Sequence, residues 1–360
     1  MPPPHVLMLG WEFPPLVSGG LGVACEGLVE ALRKKTKLTL VVPNGPGDSS
    51  LPHLPVSPYQ DHPDDLYGSN LPAAVESFTH LAASRADNVD FEVIHAHDWM
   101  TAQAGLEIRA RTGKPLIFHA HSLSYDRAGP DDRGWVHDLE RKVIQQADIV
   151  VAVSDYTREI CLTHYGADPN QTVVVYNGVC PVQAFRSKRP FPEKLVVFLG
   201  RLVSQKNPGH FLEIARRVLL RNPEVRFAMA GAGHQLRSLM SEAVRFGISE
   251  KVHFTGFLNR RDVHHLLSMA DVYCMPSASE PFGLAALEAA QFGVPIVISD
   301  HSGVSELLPH VKMARPDDLE TFTRHILTIL DEDQPPRPMT NRSWDEVAAE
   351  LMELYQTILT

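Results

Sequence analysis

The sequence predicts an α/β protein built from two doubly wound, Rossmann-like parallel sheets. Three observations carry this. Short, nearly continuous apolar runs recur along the chain, the pattern of strands buried on both faces. Segments of helical composition separate most of them. The series occurs twice, divided by a proline-rich stretch over 178–194 that contains Pro181, Pro190 and Pro192. At 360 residues the chain is long enough for two domains of ordinary size.

In order, the first series reads Val6–Leu9, Leu38–Val42, Phe91–His95, Pro115–His119, Asp148–Val153 and Thr172–Tyr176. The second reads Leu195–Leu199, Val225–Ala230, Val252–Phe254, Asp271–Met275, Pro295–Ile298 and Val311–Met313. Helices are predicted over 20–36, 71–85, 133–147, 155–165, 207–221, 234–246 and 260–270, with a further one over Leu284–Phe292 that stops at Gly293. The stretch Pro43–Pro72 reads as a long irregular loop, and composition does not assign its role. Near the C-terminus, Ser343 and Glu346 have capping-box spacing, and Leu351, Leu354, Tyr355 and Ile358 form an apolar stripe for a last helix. The predicted domains are 1–182, completed by the helix 343–360, and 183–342.

A net charge of −10 argues against a general nucleic-acid binder and against anchoring on anionic lipid. No apolar run reaches the ~18 residues of a membrane span. His5–Leu9 opens directly as a strand, so no leader is expected. Cys25, Cys161, Cys180 and Cys274 lack C-x-x-C spacing and read as reduced packing residues, which points to a cytoplasmic protein.

Chemistry concentrates at a few strand ends. Glu280-Pro281-Phe282-Gly283-Leu284 follows one apolar run, with Glu288 expected about two turns along the helix. Two carboxylates would bracket an elongated ligand, and the N–H groups of Phe282, Gly283 and Leu284 at the helix start suit a phosphate. The same residues also describe a capped helix with one exposed Glu. Arg201 and Lys206 follow the strand Leu195–Leu199, where a bidentate fork and a point charge suit a diphosphate. Gly19, Gly20 and Gly22 lie between a strand and a helix without dinucleotide-fingerprint spacing; a structural turn fits equally well. His95, His97, His119 and His121 follow two strands. A metal centre would need a third ligand at Trp99 or Met100, neither suitable, so imidazoles that bond sugar hydroxyls fit better, with His95 and His119 structural. The acidic pairs Asp64-Asp65, Asp131-Asp132 and Asp331–Asp333 read as solvated charge.

Jointly these residues resemble the retaining nucleotide-sugar glycosyltransferases of family 4, including bacterial and archaeal glycogen synthases. The resemblance rests on Glu280 to Glu288, Ser18-Gly-Gly-Leu-Gly, His95-Ala-His-Asp-Trp, Asn177-Gly-Val, Gly200-Arg-Leu with Lys206-Asn207, and Thr255-Gly-Phe-Leu. It departs at His310–Pro316, where a glycine-rich segment is usual. It implies the GT-B fold, two Rossmann-like domains facing a central cleft. It also implies transfer of a hexose, most simply glucose from UDP- or ADP-glucose, to an α-glucan or other sugar acceptor without metal or cofactor. A lipid or small-molecule acceptor is the alternative, with a nucleotide-sugar epimerase or a metallohydrolase further off. By resemblance, Arg201 and Lys206 hold the diphosphate with backbone groups of Gly19, Gly20, Gly283 and Leu284. Glu280 binds the transferred sugar and Glu288 the ribose. His97 binds the sugar's primary hydroxyl, and Gly256, Phe257 and Leu258 line the base pocket. His121, Asn177 and Phe282 complete the substrate-binding set.

Overall fold

The structure is a computed structural model that describes residues 2–17, 19–43, 45, 51–56, 70–332, 339 and 342–360. Ser18, the Asp64-Asp65 pair and Asp333 lie outside the described residues. The chain forms two units, Met1–Cys180 with Arg342–Thr360, and Pro181–Asn341.

The first unit holds a seven-stranded sheet: β1 (Val6–Leu9), β2 (Leu38–Pro43), β3 (His53–Val56), β4 (Val93–His97), β5 (Leu116–Ala120), β6 (Ile149–Ala152) and β7 (Thr172–Val174). Its spatial order is β3-β2-β1-β4-β5-β6-β7. The second unit holds β8 (Lys194–Leu199), β9 (Val225–Ala230), β10 (Val252–Gly256), β11 (Val272–Met275), β12 (Ile296–Ser299) and β13 (Lys312–Ala314), ordered β10-β9-β8-β11-β12-β13. All these pairings are parallel. Strand order reverses between β1 and β4 in one sheet and between β8 and β11 in the other. Ligands of open α/β sheets bind outside the carboxyl ends of the strands at such a reversal.

The apolar runs form strands because both faces are covered. Every residue of β1, β4 and β11 is buried. The helix Trp99–Thr112 packs between the helices Leu71–Ala86 and Trp135–Gln146, which explains its weak amphipathic signature: most of its surface is core. Caps set several boundaries. The Ser154 hydroxyl accepts from Thr157 N at 3.0 Å, and the Asn259 amide oxygen from Asp262 N at 3.1 Å.

The C-terminal helix Trp344–Thr357 belongs to the first unit and begins with the capping box Ser343/Glu346. It lies on the helix Gly20–Leu32 at Gly27, where a Cβ would fall 2.3 Å from the Trp344 indole. Gly178 admits the returning chain just as closely: a Cβ there would sit 2.6 Å from the Ser343 carbonyl carbon.

Three readings need correction. The stretch Pro43–Pro72 is not wholly irregular, because His53–Val56 pairs with β2 as an edge strand. Pro55 hid it, and an edge is where a sheet tolerates proline. The strand read as Phe91–His95 runs over Val93–His97, so His97 stands on the strand. Cys180 is exposed, whereas Cys25, Cys161 and Cys274 are buried, and burial pushes their thiols up. Among the described residues no helix is long and apolar enough to cross a membrane.

Candidate active site

In the second unit the loops after β8 and β11 are fastened together at the strand-order reversal. Ala278 N donates to Gln205 O at 2.9 Å, the Gln205 amide to Ser279 O at 3.2 Å, and the Asn207 amide to Pro276 O at 3.0 Å. Asn207 ends the short turn Ser204–Lys206 in a left-handed conformation (φ 47°), which asparagine tolerates better than most residues. These bonds bring the Lys206 ammonium onto the Glu280 carboxylate, to which the Ser277 hydroxyl also donates at 3.2 Å. Both charged side chains are nearly buried, 14% and 13% exposed, so each is held in place by the other.

Backbone bonds fix Glu280 further. Its N–H donates to His301 O at 2.8 Å, and its carbonyl accepts from Gly303 N at 3.0 Å. Val304 N donates to Phe282 O at 2.7 Å. Gly283 turns the chain into the helix Leu284–Gln291 at φ 111°, a conformation that needs glycine, and a Cβ there would also press on Val304 at 3.1 Å. The first amides of that helix have no partner within it. The Phe282 ring is buried core, so Phe282 can offer only its backbone; Leu284 is half-buried. Glu288 is the fifth helical residue, one turn in rather than two. Its half-buried carboxyl is pushed up to about 7 by burial, against the opposing pull of Arg260.

Arg201 is exposed and has no side-chain partner among the described residues. At the end of β10, Gly256 is left-handed (φ 71°), Phe257 is 65% exposed and Leu258 half-buried. Gly256 O accepts from Gly231 N at 2.9 Å. The sequence reading missed Gly231 and Gly233. A Cβ at Gly231 would lie 1.9 Å from Gly200 O, and one at Gly233 2.3 Å from Leu202 O, so these glycines let the loops after β8 and β9 touch. Their signal was available: Gly231-Ala232-Gly233 directly follows an apolar strand.

In the first unit, the Glu12 carboxylate accepts from Gly19 N at 3.2 Å, and Gly20 opens the helix after β1. Gly22 is a packing requirement, since its Cβ would meet Val17 at 2.6 Å. At the order reversal, β4 carries His95 and His97 and β5 carries His119, with His97 and His119 directly paired in register and His121 just beyond β5. His97 Nδ1 lies 2.8 Å from His121 Nε2, His95 Nε2 3.3 Å from His119 Nδ1, and His95 Nδ1 2.7 Å from the Tyr355 hydroxyl. His95, His97 and His119 are fully buried, and Nε2 of His97 and of His119 has no partner among the described residues. Burial holds all four imidazoles far below the usual histidine range, His95 and His121 at about 3. They are neutral near pH 7.

The segment carrying His121 is itself anchored. Asp98, left-handed at φ 58°, accepts from His121 N at 2.7 Å and Ser122 N at 3.1 Å. Burial raises its carboxyl to about 7. The fully buried Glu140 accepts from Ser124 N, from the Tyr165 hydroxyl at 3.0 Å and from Arg127 at 2.6 Å, while Arg127 also donates to Ser122 O at 3.0 Å. Sequence reading missed Arg127 and Glu140, which carry no motif. Asn177 is buried beside the crossing at Gly178, and its amide oxygen has no partner among the described residues.

The third imidazole near the His95–His97 pair comes from the adjacent strand, as His119, not from Trp99 or Met100. One nitrogen from each of these three lies within 4.8 Å of the others. Zinc ligands at ~2.0–2.1 Å in tetrahedral array are about 3.4 Å apart. The facing nitrogens of His95 and His119 are 3.3 Å apart, and their ring planes differ by 6°.

Chemically, the two clusters differ in kind. The second unit offers cations, a helix terminus and carboxylates, suited to phosphate and polyol; the first offers neutral imidazoles, suited to hydroxyls.

The family model for glycosyltransferase family 4 matches residues 18–182, and that for glycosyl transferases group 1 matches residues 182–345. The chain is 28% identical to an uncharacterized glycosyltransferase of Methanocaldococcus jannaschii, over 98% of this chain and 97% of that protein. It is 26% identical to glycogen synthase of Mycobacterium tuberculosis (91% and 86% covered). It is 31% identical to the D-inositol 3-phosphate glycosyltransferase of Geodermatophilus obscurus (79% and 67%). Among solved structures, the catalytic domain of starch synthase IV from Arabidopsis thaliana, bound to ADP and acarbose, superposes with a TM-score of 0.77 at 17% identity, covering 99% of both chains.

Proposed function

This chain belongs to glycosyltransferase family 4, with the GT-B fold, and we propose that it moves glucose from UDP- or ADP-glucose onto an α-glucan with retention of configuration. The observation that carries this reading is the Lys206–Glu280 pair, held at the strand-order reversal by three bonds between loops. A buried ammonium and carboxylate that satisfy each other are poised to exchange partners. Lys206, with Arg201, turns to the diphosphate, and Glu280 to hydroxyls of the transferred sugar.

Departure of the nucleotide requires negative charge to be stabilised as it develops. Two cations and the amides of Gly283 and Leu284 supply this without a metal or a cofactor. Glu288 binds the ribose, Gly256, Phe257 and Leu258 line the base site, and Gly19 and Gly20 add backbone donors. His97, through its unpartnered Nε2, binds the primary hydroxyl of the sugar; His121 and Asn177 contribute further polar contacts. No carboxylate is assigned as a nucleophile, so retention proceeds by front-face attack, with the leaving phosphate taking the acceptor's proton.

The glucan acceptor draws on the glycogen synthase and starch synthase likenesses. A small phosphorylated polyol is the alternative, drawn from the inositol 3-phosphate transferase. The test is a panel of nucleotide sugars, following nucleotide release with and without glycogen. Release from UDP- or ADP-glucose stimulated by glycogen supports the proposal; stimulation only by a polyol phosphate selects the alternative; no turnover of any donor defeats both.

A further inference from the structure

We propose that Trp135 is a stacking platform for a glucose ring of the acceptor chain, an inference that rests on the glucan-transfer reading above. Trp135 is the first residue of the helix Trp135–Gln146, and its indole is 48% exposed. Tryptophan is rarely left so open, because its large apolar surface favours burial. The ring is not loose: it meets Trp99 edge to face, with centroids 5.1 Å apart and planes at 83°. Trp99 is 7% exposed and follows His97 and Asp98 directly.

Topology places the platform. The helix Trp135–Gln146 descends to β6, and the helix Trp99–Thr112 descends from β4 to β5, so both begin at the carboxyl edge of the sheet. That edge carries His97. Trp135 therefore stands one ring away from the segment assigned to the transferred sugar, within the same unit.

The surroundings match a pyranose. One face of a glucose ring is a patch of axial C–H groups that packs on an indole plane, while equatorial hydroxyls radiate from its rim. Asp131 and Asp138 are exposed nearby in sequence, and Asp132 is tied to Gly134 N at 3.2 Å, which shapes the turn ahead of the helix. The indole N–H has no acceptor among the described residues and can donate to a hydroxyl. Sequence reading treated Asp131-Asp132 as solvated charge; on this proposal the exposed Asp131, four residues before Trp135, is an acceptor for sugar hydroxyls.

The test uses the full chain with maltoheptaose as the probe. Trp135→Ala should raise the KM for maltoheptaose about thirtyfold, the usual loss when a tryptophan anchor is truncated. Acceptor-independent release of nucleotide from the donor should be unchanged, and Trp135→Phe should restore most of the loss. Maltoheptaose should also protect wild-type tryptophan fluorescence from acrylamide quenching, and the alanine variant should lack that protection. An unchanged KM in Trp135→Ala, or unprotected fluorescence, overturns the platform. Wild type that turns over donor yet ignores maltoheptaose for another acceptor also overturns it, while leaving the transferase assignment standing.

Discussion

The Lys206–Glu280 pair and the histidine cluster handle polar groups in opposite ways. In the ion pair, charge is kept at the sheet edge and neutralised internally, lysine against glutamate, with the exposed Arg201 just after the same strand. In the histidine cluster, burial removes charge, and two imidazole nitrogens have no partner among the described residues. Pairing keeps an ion available for a charged ligand at little net cost, because a ligand phosphate can replace the carboxylate. Burial gives a neutral group whose hydrogen bond to an uncharged hydroxyl is strengthened by the dry surroundings.

Substitutions should separate the two arrangements. The largest effect is expected at the ion pair. Lys206→Ala or Glu280→Gln should lower kcat/KM about a thousandfold, the scale of losing a group that stabilises developing charge. Lys206→Ala strands a nearly buried carboxylate and should also lower stability by about 2–4 kcal/mol. Adding Glu280→Ala should recover that stability, but not activity. Wild-type-like turnover by either single variant would remove the pair from the mechanism.

Next comes His97→Ala, expected to reduce kcat about a hundredfold while leaving nucleotide affinity alone. Because burial already keeps this imidazole neutral, the rate should show no break near pH 6.5 that His97→Ala abolishes; finding one would contradict the neutral assignment.

Acid should expose the histidine face as a liability. The folded values of His95, His97, His119 and His121 lie below the unfolded value near 6.5, so the unfolded chain binds more protons as pH falls. Stability is thus full above about pH 7 and lost on acidification, over a window reaching about 3 for His95 and His121. Each group contributes up to about 1.4 kcal/mol per pH unit. Thermal unfolding at pH 7.5 and pH 5.5 should show this loss, and His119→Asn should shrink it. A slope identical in the variant would mean that His119 titrates normally.

The smallest effect is expected at Glu288→Gln, about a tenfold rise in donor KM with kcat little changed, since this carboxyl meets the ribose rather than the reacting centre. Equal losses in kcat would move Glu288 into the chemistry.

Much of this contrast was legible in the sequence, for a physical reason. Buried parallel strands are apolar on both faces, so β1, β8 and β11 announce themselves, and polar residues just beyond them, such as Lys206 and Glu280, must lie at one sheet edge. What stayed hidden depends on pairing between strands. His119 joins His95 and His97 only because β5 registers with β4, and spacing along one strand cannot reveal that. Glu140 reaches Ser124 and Arg127 from the middle of a helix, in a pattern that reads as ordinary amphipathicity. β3 was masked by its proline, and Gly231 by a contact with Gly200 that exists only when the loops meet.

The most direct test of the division of labour is calorimetric titration of UDP and ADP into wild type, Lys206→Ala and His97→Ala. One of these nucleotides should bind wild type and His97→Ala equally, and Lys206→Ala at least about tenfold more weakly. Equal affinity for wild type and Lys206→Ala, or an equal loss in His97→Ala, would contradict that division.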